Sequence, residues 1–188
     1  MTGVQTCALP IFKINYIEQC VKTNKIELQN NTTTNGQSPT YKWDLGDGSS
    51  STETSPSKSY PTFGNFNVIL TAISTNGCID TAIRSVSVLN VTNSSFFVSN
   101  SQQCLLNNSF QFNNTSTPID ANNRFEWDFG DGSVKSTQYN PVYKYNLKGD
   151  FVVKLIAINP NGCRDTSTKL INIFPSPIVS FTSNDLTQ

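Results

Sequence analysis

The sequence predicts an all-β chain built as two tandem β-sandwiches of about seven strands each. Three observations lead there. Trp43-Asp44-Leu45-Gly46-Asp47-Gly48 returns 84 residues later as Trp127-Asp128-Phe129-Gly130-Asp131-Gly132, so one small domain is written twice. Apolar and polar residues alternate over short runs, the period of a half-buried strand, and no stretch carries the helical period. Asn, Ser and Thr supply 66 of 188 residues, a composition suited to polar strand faces and frequent turns.

The repeated hexapeptide is a strand running into a turn. Trp43 and Trp127 bring the largest apolar side chain to the point where the strand enters the core. Gly46, Gly48, Gly130 and Gly132 can take positive φ without steric cost. Asp44, Asp47, Asp128 and Asp131 can bond backbone amides one or two residues on, as in an Asx turn.

Four segments follow from the repeat. Residues 1–11 match neither copy and read as a non-native or disordered leader, without the basic start and long apolar centre of a signal peptide. Residues 12–92 form the first sandwich, its first strand expected to be weakened by the junction with that leader. Ile26–Gln29, Thr40–Leu45, Asn65–Ser74 and Ile79–Leu89 read as its strands, with Asn76-Gly77 as a hairpin turn. Residues 93–174 repeat the plan with Phe96–Val98, Phe110–Phe112, Arg124–Phe129, Asp150–Ile158, Asn161-Gly162 and Arg164–Phe174. Residues 175–188 read as the start of a truncated third copy.

The Trp-Asp-x-Gly-Asp-Gly signature resembles that of the PKD (polycystic kidney disease) domain. Further residues carry the resemblance in both copies: Pro56 with Tyr60 and Gly64-Asn65-Phe66-Asn67-Val68-Ile69-Leu70, then Pro141 with Tyr145 and Gly149-Asp150-Phe151-Val152-Val153-Lys154-Leu155. The resemblance implies an immunoglobulin-like sandwich in an extracellular protein, most simply a secreted or surface-anchored bacterial one. It says little about ligand.

Of five cysteines, four recur with the repeat: Cys20 with Cys104 and Cys78 with Cys163. Three pairings of four cysteines are possible. Repeat symmetry favours Cys20–Cys78 and Cys104–Cys163, one bridge per unit, and with them an oxidising compartment. Each bridge would close a loop of roughly 60 residues and add up to about 4 kcal/mol to a core-poor sandwich.

Net charge is zero and histidine is absent. The first argues against a nucleic-acid partner, which leaves a basic footprint. The second removes the commonest general base and metal ligand. No apolar run approaches the ~20 residues of a membrane span, so membrane insertion is not expected. The paired carboxylates could be read as a glycosidase acid pair. Their repetition inside a fold-forming turn assigns them to structure instead, and the chain is expected to be non-catalytic, without cofactor or metal.

Two functions remain. The first is a spacer or adhesive array whose partners are neighbouring PKD-like domains and cell-surface proteins. The second is an accessory module that binds polysaccharide for a secreted hydrolase, with Tyr41, Phe63, Phe125 and Tyr139 as candidate contacts.

Overall fold

Alternation builds the strands of the first unit, which covers Met1–Val91. The computed structural model describes residues 9–33 and 38–180; the readings placed on 1–8 and 181–188 lie outside the described residues. The strands are β1 (Phe12–Ile14), β2 (Glu18–Cys20), β3 (Ile26–Asn30), β4 (Thr40–Asp44), β5 (Ser50–Ser51), β6 (Ser57–Lys58), β7 (Gly64–Ile73) and β8 (Ile79–Leu89). They form two sheets, β1-β3-β6 and β2-β8-β7-β4-β5. Every pairing is antiparallel except β2 with β8. Ile26 and Leu28 from one sheet meet Trp43, Val68, Leu70, Val86 and Val88 from the other, all of them buried. Two inward faces close on one core, as the alternation requires.

The second unit, Thr92–Gln188, is built the same way. Its strands are β9 (Phe96–Val98), β10 (Gln102–Cys104), β11 (Phe110–Asn114), β12 (Arg124–Asp128), β13 (Val142–Tyr143), β14 (Gly149–Ile158) and β15 (Arg164–Phe174). The sheets are β9-β11-β13 and β10-β15-β14-β12, with β10 parallel to β15. A core of Phe96, Phe110, Phe112, Trp127, Phe129, Tyr145, Val153, Leu155 and Ile171 fills the space between them. No helix occurs among the described residues.

The first strand of unit 1 is not thinned at its junction. Phe12 is fully buried and meets Trp43 edge-on at 5.0 Å, while Phe96 meets Trp127 edge-on at 5.0 Å. Backbone pairing reaches Ile11, whose C=O accepts from Asn31 N–H at 2.7 Å. Phe12 therefore fills the place that Phe96 fills.

Candidate functional site

In both units the motif carboxylates are committed to the turn they sit in. Asp44 Oδ1 accepts from Gly46 N–H at 2.9 Å, and Asp128 Oδ1 from Gly130 N–H at 3.0 Å. Asp47 Oδ1 accepts from Ser49 N–H at 3.0 Å, and Asp131 Oδ1 from Ser133 N–H at 3.1 Å. All four motif glycines have positive φ, between 79° and 86°. The second Asp of each motif then takes a different partner in each unit. Lys58 Nζ lies 2.6 Å from Asp47 Oδ2, whereas Tyr143 Oη donates to Asp131 Oδ2 at 2.6 Å. Burial alone would raise the Asp47 carboxyl, but the Lys58 ammonium and the Ser49 hydroxyl and amide outweigh it and hold it at about 2. Asp131 is likewise held below its ordinary value, because the Tyr143 phenol and Ser133 outweigh burial.

Beneath each turn lies a buried tyrosine. Tyr60 Oη donates to Leu45 O at 2.6 Å, and Tyr145 Oη to Phe129 O at 2.8 Å. Burial, and then the neighbouring motif carboxylates, push the Tyr60 phenol up to about 12 and Tyr145 higher still. Each tyrosine's backbone is fastened by an asparagine that sequence reasoning did not single out. Asn24 Nδ2 donates to Tyr60 O at 2.9 Å, and its Oδ1 accepts from Tyr60 N–H at 2.6 Å. Asn108 does the same for Tyr145 at 2.8 and 2.7 Å. The recurrence of Asn24 84 residues on, as Asn108, was the signal that could have found them.

The four candidate aromatic contacts do not form one site. Tyr41 is half-buried against the core of unit 1, and Phe63 stands apart at 61% exposure. In unit 2, Phe125 and Tyr139 come together, ring centroids 5.3 Å apart and edge to face. Phe125 is only 7% exposed and packs in the core, while Tyr139 is 42% exposed. Beside them a cleft of about 460 Å³ opens, lined also by Asp120, Asn123, Arg124 and Glu126. Among the described residues, no group of three or more His, Cys, Asp or Glu side chains is placed to hold a metal ion.

The family profile of the PKD domain matches residues 7–88 and again 99–173. The chain belongs to the PKD domain family. Among solved structures it is similar to the PKD1 domain of the Vibrio cholerae metalloprotease PrtV, at 26% identity, covering 44% of this chain and 98% of that one, with a TM-score of 0.39. The PKD1 domain of Vibrio anguillarum Epp matches at 25% identity over 44% of this chain and 94% of that one, TM-score 0.39. Among curated proteins, Collagenase ColA of Clostridium perfringens is 43% identical over 49 residues, 26% of this chain. The match spans 4% of that collagenase's length.

The cysteines of the two PKD units depart from the expected one-bridge-per-unit pattern. Cys20 and Cys163 are disulfide-bonded, but Cys78 and Cys104 are free thiols, so neither Cys20–Cys78 nor Cys104–Cys163 forms. The reason lies in each unit's own geometry. Cys20 pairs in register with Leu89 at the far end of β8, whereas Cys78 sits in the hairpin loop just before Ile79, where β8 begins. An 11-residue strand separates them, which at 3.2–3.4 Å per residue is roughly 35 Å. A disulfide needs Cα atoms within about 7 Å. Unit 2 repeats the problem: Cys104 is in register with Phe174 at the end of β15, and Cys163 immediately precedes its start at Arg164.

Proposed function

We propose that this chain is a non-catalytic module of a larger secreted or surface-exposed protein, with tandem PKD units acting as a spacer and adhesive array. The observation that carries the reading is the use of the motif carboxylates. Through Oδ1, Asp44, Asp47, Asp128 and Asp131 are engaged within their own turns, in the same way in both units. A general acid or base must instead reach a proton on its substrate. Disulfide-bonded Cys20 and Cys163 support an oxidising, extracytoplasmic setting. So does the company of the similar sequences, which are segments of a metalloprotease and of a collagenase. Partners would be neighbouring PKD-type domains and cell-surface proteins.

The test is to couple the chain to beads and present them to protein-coated and cell surfaces, assaying peptide and glycoside hydrolysis in the same wells. Retention above that of beads carrying an unrelated sandwich, without product, is expected. Product that disappears in Asp47→Asn and Asp131→Asn variants would refute the non-catalytic reading, and retention no better than the control would refute adhesion.

A second reading, an accessory module that binds polysaccharide, is favoured by one observation: the exposed Tyr139 ring beside the cleft of unit 2.

A further inference from the structure

One wall of the Tyr139 cleft is the edge of β12, and that edge is open at a single residue. Trp127 closes its own part: its N–H donates to Ser136 O at 2.8 Å, and its C=O accepts from Ser136 N–H at 3.0 Å. Alternate residues of an antiparallel strand direct their N–H and C=O groups to the same side. Phe125 therefore points its pair the same way as Trp127, away from β14 and toward the cleft. Outside the strand ladders, neither group has a backbone partner among the described residues. On the other side the edge is shut by a turn, where Asn123 N–H donates to Asp120 O at 3.0 Å. A backbone N–H and C=O left open side by side along a cleft are a place for a ligand's hydrogen bonds.

We propose that this cleft binds a neutral saccharide, one sugar ring lying against Tyr139 with its hydroxyls on the Phe125 main chain. The inference deepens the polysaccharide reading and rests on it, not on the spacer reading. Four features select the ligand. A hydroxyl both donates and accepts, so neighbouring hydroxyls suit an N–H and a C=O presented side by side. Tyr139 meets Phe125 edge to face, which leaves at least one face of its ring uncovered by that neighbour. The charged groups of the lining are two carboxylates, Asp120 and Glu126, against one guanidinium, Arg124, a balance that disfavours sulfated or phosphorylated ligands. Finally, an extended peptide added as a strand needs a run of free edge groups, and β12 offers one residue. The cleft volume of about 460 Å³ lies within the ~300–1,000 Å³ of small-molecule sites.

Unit 1 does not duplicate the ring. Trp43 Nε1 donates to Glu53 O and Trp127 Nε1 to Gln138 O, each at 2.9 Å. That alignment places Thr54 where unit 2 has Tyr139.

The experiment is a titration of the full, isotopically labelled chain with cellohexaose, chitohexaose, laminarihexaose and xylohexaose, followed by amide NMR. With at least one of them the Phe125 amide is expected among the most shifted resonances. Tyr139→Ala should weaken binding at least tenfold, Tyr139→Phe should keep it, and Thr54→Ala should leave it unchanged. Retention in the Phe variant separates ring stacking from hydrogen bonding by the hydroxyl, and an unfolding midpoint unchanged in Tyr139→Ala separates stacking from structural support. Binding that survives Tyr139→Ala would overturn the cleft while leaving a polysaccharide role elsewhere on the chain. No binding at millimolar concentration of any of the four would overturn both, and displacement of the saccharide by an extended peptide would reassign the ligand.

Discussion

Gly130 and Gly132 have nearly the same backbone, φ +80° and +79°, yet they should differ sharply in what a methyl group costs. An L-residue held in the left-handed region loses about 1–2 kcal/mol at either position. At Gly132 a Cβ would meet nothing within 4 Å, so that term is the whole cost. At Gly130 the Cβ would lie 2.7 Å from Val152 O and 2.9 Å from Val152 N. Both atoms belong to the backbone of β14, in the middle of its ladder with β15. Relief requires moving a paired strand, which costs a further ~1–3 kcal/mol, as overpacked cores do. Gly132→Ala is therefore expected to destabilise unit 2 by about 1–2 kcal/mol and Gly130→Ala by about 2–5 kcal/mol. Unit 1 supplies a replicate, since a Cβ on Gly46 would lie 2.7 Å from Asn67 O while Gly48 has open space. Urea titration read by hydrogen exchange on peptides from each unit would report the two sandwiches separately. Equal losses at the two glycines, or a larger loss at Gly132, would mean that the turn does not lie against β14 as described.

The Asp47–Lys58 pair should make unit 1 acid-sensitive. Its folded carboxyl, at about 2, lies below the ordinary 3.8, so the contribution is complete above pH 3.8 and lost as pH falls toward 2. Allowing for solvent screening, the loss is about 1–2 kcal/mol. Lys58→Met should flatten that part of the stability profile in urea titrations between pH 5 and 2, and an unchanged profile would show the pair to be inert. Tyr145→Phe strands the buried Phe129 carbonyl and should cost about 1–3 kcal/mol, read as a lower unfolding midpoint for unit 2 peptides. A midpoint unchanged by that substitution would mean the hydroxyl does not hold the turn.

The two-sandwich plan could be read because its determinants are local. Trp43 and Trp127 end up fully buried, each at the end of an alternating strand and followed by glycines at positive φ. Such features are set by side-chain period and turn chemistry within a few residues. The short strands β2 and β10 gave no such signal. Each is three residues long and has no buried residue, and each joins its sheet only by parallel pairing with a strand about 70 residues away in sequence. Nothing in Glu18–Cys20 or Gln102–Cys104 alternates, so pattern reasoning passed over them. Tyr139 was legible only as an exposed ring. Its place in one cleft with the Phe125 main chain depends on which side of β12 is left open, and that is a property of the sheet.

The cysteines show the same division more sharply, and they yield a further prediction. Repeat symmetry correctly marked Cys20 and Cys104 as equivalent positions, and Cys78 and Cys163 as another, but equivalence does not give distance. Distance came from β2 and β10, the strands that pattern reasoning missed, because they carry Cys20 and Cys104 to the far ends of β8 and β15. With a long strand between the two positions of each unit, no rotamer change can bring their sulfur atoms together. Alkylation of the native, non-reduced chain, followed by reduction and a second, distinguishable alkylating label, should therefore put the first label on Cys78 and Cys104. Cys20 and Cys163 should take only the second. Cys104 is exposed and should react quickly; Cys78 is partly covered in its hairpin and should react more slowly. Peptides linking Cys20 to Cys78, or Cys104 to Cys163, would contradict the strand register itself, since either bond would require β8 or β15 to be folded back on its own length.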